Sequence, residues 1–147
     1  MLFYEISSHS GEKPKDDMSI ITDYDQRYLN YINKIFKKEF YGWDYRNGVE
    51  NFNEILEGGG QMAAFWHRGK IVGAIIWHWG GEEGKITHIC FKANSQRQGF
   101  GRLLVDFALY HIRQKNESGR LFVEISADDK NANFFKKIGF AKVGGDG

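Results

Sequence analysis

Cysteine and proline occur once each in this 147-residue chain, at Cys90 and Pro14. A single cysteine excludes an intrachain disulfide and any metal site built from several thiolates. No charge of one sign dominates: Lys and Arg number 20, Asp and Glu 19, and the formal net charge is +1. That balance gives the chain as a whole no attraction for a nucleic-acid backbone. Lys34, Lys37 and Lys38 read as the solvated face of a helix. No apolar run approaches the length of a membrane-spanning helix. Met1 to Glu5 is too polar for a secretory signal, so a cytoplasmic protein with no membrane partner is expected. Two phosphate fingerprints are also missing. A G-x-G-x-x-G turn would need glycine where Leu104 stands, and no G-x-x-x-x-G-K-[ST] loop occurs.

What is present suits an enzyme-sized globule. Hydrophobic residues make up 41% of the chain and aromatics 16%, enough for a core and unlike a disordered composition. There is no linker, repeat or low-complexity tract, so one domain over residues 1–147 is expected.

Periodicity sets the order of elements. Leu2 to Ser7 and Met18 to Ile21 are rival candidates for the first strand, separated by a polar loop. Thr22 or Asp23 is placed to cap a helix running to about Phe40, with Tyr28, Ile32, Ile35 and Phe36 on one stripe. A shorter helix is expected over Val49 to Leu56, ended at Gly58-Gly59-Gly60. Gln61 to Trp66 pairs with Ile71 to Trp79 across a tight turn. The second of these is nearly all apolar, as a central strand should be. Gly80-Gly81 and Gly84 bracket a hairpin turn into Ile86 to Phe91. A helix over Arg102 to Asn116 should bury Leu104, Phe107, Ala108 and either His111 or Ile112. A strand over Leu121 to Ile125 and a helix over Asn131 to Ile138, stopped at Gly139, follow. Only Phe140 to Val143 remains for a last strand. The alternation implies an α/β fold with a mixed sheet covered by helices.

The most specific stretch is Gln96-Arg97-Gln98-Gly99-Phe100-Gly101, between a strand and a helix. A helix start has unpaired N–H groups and partial positive charge. Gly99 and Gly101 carry no side chain, so a ligand can come close to the backbone. Phosphate is the natural guest. The pattern Gln96-x-x-Gly99-x-Gly101 resembles the coenzyme-A-binding turn of the GNAT superfamily of N-acetyltransferases, [Gln/Arg]-x-x-Gly-x-[Gly/Ala]. Asn133 to Phe140 resembles the family's second hallmark, a helix ending in Gly-Phe. The two occur in the family's order and spacing, and the resemblance covers roughly Gln61 to Val143.

The resemblance implies a mostly antiparallel central sheet flanked by helices, acetyl-CoA as co-substrate, and transfer of its acetyl group to a primary amine. The acceptor would be a small molecule or a peptide, attacking directly in a ternary complex. Backbone N–H groups from Arg97, Gln98, Gly99, Phe100 and Gly101 would hold the pyrophosphate, with Gln96 at the first signature position. Arg97 and Arg102 add charge-assisted bonds or are solvated cap residues. Counting back from Gly139 puts Asp128 where the family often has a pantetheine-contacting asparagine. Asn131 substitutes for it or only starts the helix. The backbone N–H of Phe91 would polarise the thioester carbonyl.

Departures from the family pattern bear on the chemistry. The usual base positions fall on Thr87 and Lys85, neither a good base. His88 lies between them, and a bulge would turn it toward the pocket; it is the candidate base or water anchor. His78, Glu82 and Glu83 are weaker alternatives. The residue four before Gly139, often a proton-donating tyrosine, is Phe135, expected beside the cofactor arm. Tyr110 is the right residue type for the acid without positional support. Cys90 is a core residue or, in a two-step mechanism, a nucleophile. Tyr41, Trp43 and Tyr45 line an amine pocket or belong to the core. No metal is expected.

The C-terminal end is short by one strand of the family pattern. A homodimer through the sheet edge at Phe140 to Val143 would cover the exposed backbone, as would the segment Leu2 to Ser7. A noncatalytic acyl-CoA-binding or regulatory domain is the alternative function, because it needs no acid.

Overall fold

The computed structural model describes residues 2–6, 17–22, 24–39, 43–80, 83–95, 99–125 and 132–145. Among them run β1 (Leu2–Ile6), β2 (Met18–Ile21), α1 (Gln26–Glu39), α2 (Gly48–Glu57), β3 (Gly60–His67), β4 (Lys70–Gly80), β5 (Glu83–Phe91), a short 3-10 turn (Ala93–Ser95), α3 (Phe100–Lys115), β6 (Arg120–Ile125), α4 (Ala132–Lys137) and β7 (Ala141–Gly145). The strands form one seven-stranded sheet in the order β2-β3-β4-β5-β6-β1-β7. All pairs are antiparallel except β5 with β6. The expected mixed, mostly antiparallel sheet is present.

Both candidates for the first strand are strands, and the sheet sends them to opposite ends. β2 forms one edge beside β3. β1 lies between β6 and β7, antiparallel to each. Of the coverings considered for Phe140 to Val143, the N-terminal segment is the one present, on one side of β7, and the other side of β7 is the edge of the sheet. β7 pairs through Ala141, Lys142, Gly144 and Gly145 with β1. The N-terminal segment thus supplies the strand that the C-terminal end lacks. Burial explains why it docks there. Leu2, Tyr4 and Ile6 alternate inward, and Ile6 is fully buried, so period-two patterning gives β1 one core face. Glu5 adds a two-pronged ion pair with Arg120 of β6, whose guanidinium also lies over the Phe122 ring.

Alternation along β3 and β4 divides the core between two faces. Ala63, Phe65, Val72, Ile75 and Trp77 face α3 and α4, in one cluster with Leu104, Ala108 and Phe135. Met62, Ala64, Ile71, Ala74 and Ile76 face α1 and α2, packed with Leu29, Phe36, Phe52 and Cys90. The stripe of α1 is as expected except that Asn33 is buried in it and Tyr28 is only half-buried. Its start is corrected from Thr22 or Asp23 to Asp25, whose carbonyl accepts from Tyr28 and Leu29. The Asp25 carboxylate in turn accepts from the Thr22 N–H and hydroxyl. Position 23 lies outside the described residues. Gly84, expected in a turn, lies within β5, where the Ile112 side chain presses against the space a Cβ would need. Of the two α3 alternatives, Ile112 is buried and His111 half-buried.

Candidate functional site

The sheet opens at its centre. β5 pairs with β6 only from Glu83 to Ile86, against Arg120 to Val123. β5 then continues to Phe91 paired with β4 alone. A bulge starts the divergence: Ile76 faces His88 and Trp77 faces Ile86, so Thr87 is the extra residue. An added residue bends and twists its strand. At the end of β5, the Lys92 N–H donates to the Val72 carbonyl at 2.8 Å. Strand alternation therefore turns the Phe91 amide the other way, toward the side where β6 has left. Gly73 makes room for the Phe91 ring; a Cβ there would lie 2.3 Å from it.

The start of α3 is tied to this opening by stacked aromatics. Phe100 lies 4.6 Å from Phe65 and 6.3 Å from Phe91, between ring centroids. Gly99 is the N-cap, with φ of 79°. Among the described residues other than its chain neighbours, nothing lies within 4 Å of where its Cβ would be. A left-handed glycine beside the first amides of a 16-residue helix is a setting that suits an anion. Gly101 differs. It is buried, and a Cβ on it would meet the Phe134 ring at 2.9 Å, so its bareness admits α4 against α3. Arg102 reaches toward α4 while staying half-buried. Its guanidinium donates to Asp106 and to the Ile138 carbonyl at the end of α4. Phe135 is buried among core rings, edge-on to Phe134 and Phe140. Gln96, Arg97, Gln98, Asp128 and Asn131 lie outside the described residues.

On the opposite face, the bulge leaves His88 half-buried beneath α1 and α2. Its ring stacks on Phe36 and meets Trp43 edge-on at 5.5 Å. Nδ1 lies 3.0 Å from the Thr87 hydroxyl. Burial holds this imidazole below the ordinary histidine value of 6.5, and neighbouring His78 adds to the effect. A histidine so placed is neutral near pH 7 and able to accept a proton. Cys90, two residues on, is buried. Burial, with Glu39 nearby, pushes its thiol up to about 12, against the opposing pull of a hydrogen bond with the Phe91 backbone. That favours the core reading, since a nucleophilic cysteine needs a lowered value.

Among the described residues, Trp43, Asn51, Glu54, Ile55, Gly58, His78 and His88 line a wide-open pocket of about 450 Å³. Of the three aromatics considered for an acceptor wall, Trp43 lines it. Tyr45 is exposed with Lys37 over its ring, and Tyr41 lies outside the described residues, as does Glu82. Glu83 is an exposed end of β5. Tyr110 lies on α3 against His111, on the other face of the sheet from the pocket.

Sequence reasoning missed the residues that shape this wall. Asn33 donates through Nδ2 to the Tyr45 carbonyl at 3.0 Å and accepts from Trp43 Nε1 at 2.7 Å. It thereby pins the chain between α1 and α2, and Trp43 stacks on Phe52. The available signal was a polar residue inside an apolar stripe, between Leu29 and Phe36. Gly60 lets the end of α2 approach β3 and β4; a Cβ on it would lie 2.4 Å from Ile55 and 3.1 Å from His78. Among the described residues no cluster suited to a metal ion occurs, and no helix is long and apolar enough to cross a membrane.

A family model described as an acetyltransferase (GNAT) domain matches residues 27–147. No curated protein matches. A GNAT-family acetyltransferase from Colwellia psychrerythraea superposes with a TM-score of 0.74 at 14% identity, over 96% of this chain and 52% of that one. A putative GNAT-family acetyltransferase from Novosphingobium aromaticivorans gives 0.67 at 8% identity, over 97% and 59%. Against both, the chain spans little more than half of the relative's length. A ribosomal-protein-alanine N-acetyltransferase from Brucella melitensis gives 0.66 at 14% identity, over 85% of this chain and 91% of that one. At these identities the likeness is one of fold.

Proposed function

Because the chain belongs to the GNAT acetyltransferase family, as its match over residues 27–147 shows, we propose that it acts as one domain transferring an acetyl group from acetyl-CoA to a primary amine. The acceptor is a small molecule or a peptide. The observation that carries this reading is the parting of β5 from β6 after Ile86, with the Phe100 ring at the start of α3 set against Phe91 at the end of β5. Acetyl-CoA supplies an acetyl group already activated as a thioester. Gly99 and the first amides of α3 hold its pyrophosphate, together with the turn at Gln96, Arg97 and Gln98. Asp128 or Asn131 flanks its pantetheine arm. The Phe91 N–H stabilises charge on the carbonyl oxygen. His88, kept neutral by burial, removes the proton of the attacking amine, through water where the reach requires it. Holding the two reactants together supplies the rest of the acceleration.

The placements of Gly101 and Arg102 narrow the choice of test. Gly101 and Arg102 serve the contact of α3 with α4, so changing them disturbs packing as well. Gly99 is the clean position. Gly99→Asn and Gly99→Asp share shape and tolerance of the left-handed region, and only the second adds charge. By calorimetry, acetyl-CoA should bind Gly99→Asp at least about tenfold more weakly than Gly99→Asn, equivalent to about 1.4 kcal/mol. Equal affinities would remove the pyrophosphate from this turn.

His88 gives a pH signature. Because its value is lowered, the neutral base persists below pH 6.5, and turnover in the ternary complex should hold into that range before falling. His88→Gln should lose this acid limb and reduce turnover more than acetyl-CoA affinity. An unchanged pH–rate profile would end its role as base. Phe135, buried and without a proton to give, favours a second reading, an acyl-CoA-binding domain without catalysis. Acetyl-CoA binding with no free thiol released across a panel of amines and peptides would select it.

A further inference from the structure

The pocket on the α1–α2 face has a charge asymmetry that neither family membership nor acyl transfer requires. Among the described residues, the exposed Glu54 is its one formally charged lining residue; the polar others are Asn51 and the two histidines. Glu54 sits in the last turns of α2, followed by Glu57, and the last turn contains no basic residue. Helix C-termini carry partial negative charge, so carboxylates there are disfavoured and cations welcomed. Among the described residues neither glutamate takes part in a salt bridge. Gly58, the C-cap of the same helix, also lines the pocket. The indole of Trp43 completes the wall, fixed through Asn33 and stacked on Phe52. A carboxylate and a helix C-terminus favour positive charge, and an indole stands beside them.

We propose that this pocket selects acceptors carrying a second cationic group, small diamines or polyamines, whose distal ammonium is held by Glu54, the end of α2 and Trp43 while the other amine reacts beside His88. This rests on the acetyl-transfer reading and names its substrate class. The chemistry requires two different environments for the two nitrogens. The reacting amine must shed a proton, and the half-buried His88 side of the pocket disfavours charge. The distal nitrogen must stay protonated, and the α2 end favours charge. A monoamine gains only the first environment. A carboxylate at a helix C-terminus also costs stability in the free protein. A cation bound there offsets that cost, a trade of stability for binding seen at functional sites.

The test compares diaminobutane and diaminopentane with the monoamines of equal length, in acetyl-CoA turnover followed by thiol release. The better diamine should exceed its monoamine in kcat/KM by about tenfold, as expected of one charged contact and one cation–π contact in a pocket. Glu54→Gln should lower the diamine's kcat/KM far more than the monoamine's, and Glu54→Asp should restore part of the preference. Glu54→Gln should also raise the melting temperature of the ligand-free protein. A diamine-to-monoamine ratio near one, or a ratio that Glu54→Gln leaves intact, would overturn the proposal while acetyl transfer stands. If no amine is turned over, the transfer reading falls. Calorimetry of diaminobutane without acetyl-CoA then decides the pocket by itself. Binding that Glu54→Gln abolishes supports the cation site, and no binding to the unaltered protein refutes it.

Discussion

Tyr4→Pro should leave the protein unfolded or nearly so, whereas Val143→Pro, on the adjacent strand, should cost little. Tyr4 is at the middle of β1, opposite Val123 on one side and Lys142 on the other. Proline there removes a ladder donor from a strand flanked on both sides, a place where proline is not tolerated. It also deletes a ring that is 3% exposed. Loss of a buried aromatic alone costs about 3–5 kcal/mol, and the lost strand pairing adds to it. Domains of this size are stable by only about 5–15 kcal/mol. Val143 is different in each respect. The register of β1 and β7 skips it between Lys142 and Gly144, and it is 51% exposed on the outer strand. Bulges on edge strands are where sheets accept proline. Urea unfolding of both variants is the measurement. Native-like stability in Tyr4→Pro would show that β1 is not a structural strand of the sheet.

Asn33→Ala should bring the second large loss, and it should reach the pocket. Asn33 is 6% exposed and satisfies both the Trp43 indole and the Tyr45 carbonyl. Truncation leaves two polar groups without their partner, at about 1–3 kcal/mol each when they stay buried. The expected loss is therefore about 2–6 kcal/mol, less whatever water recovers. Gly48→Ala attacks the same joint from the other side. Its Cβ would fall 1.8 Å from Asn33 Oδ1, so the amide must move or α2 must shift. Both variants should free Trp43, red-shift its emission and loosen the wall beside His88. Chemical denaturation read by tryptophan fluorescence gives stability and wall together. Full stability in Asn33→Ala would mean that this clamp does not hold the segment.

His88 shows how a residue can be named in advance while its setting cannot. Its residue type and its place on β5 marked it as a proton acceptor. The bulge at Thr87 belongs to that reading of β5. The Phe36 and Trp43 rings around His88 and its lowered affinity for a proton come from segments outside β5. Gly99 and Gly101 show the same division. As neighbours in one motif they look alike, yet among the described residues a Cβ on Gly99 would meet nothing within 4 Å and one on Gly101 would meet Phe134. Only the approach of α4, distant in sequence, separates them. Arg102, which reads as an anion ligand or a solvated cap residue in the linear motif, also links α3 to the end of α4.

Most of the elements, the family and the positions of Gly99 and Gly101 at the head of α3 are legible in the sequence. Those follow from local period, from turn residues and from a motif of fixed spacing, all contained in short windows. Tertiary structure alone decided where β1 goes and what Asn33 and Glu54 do. A strand's alternation says that one face will be buried, not which neighbours it will pair with. β1 and β7 lie at opposite ends of the chain, and their pairing depends on the open side of β6 that only the assembled sheet presents. Glu54 is one of many surface carboxylates until α2 packs beside β3 and turns it to the rim of a pocket shared with His78 and His88.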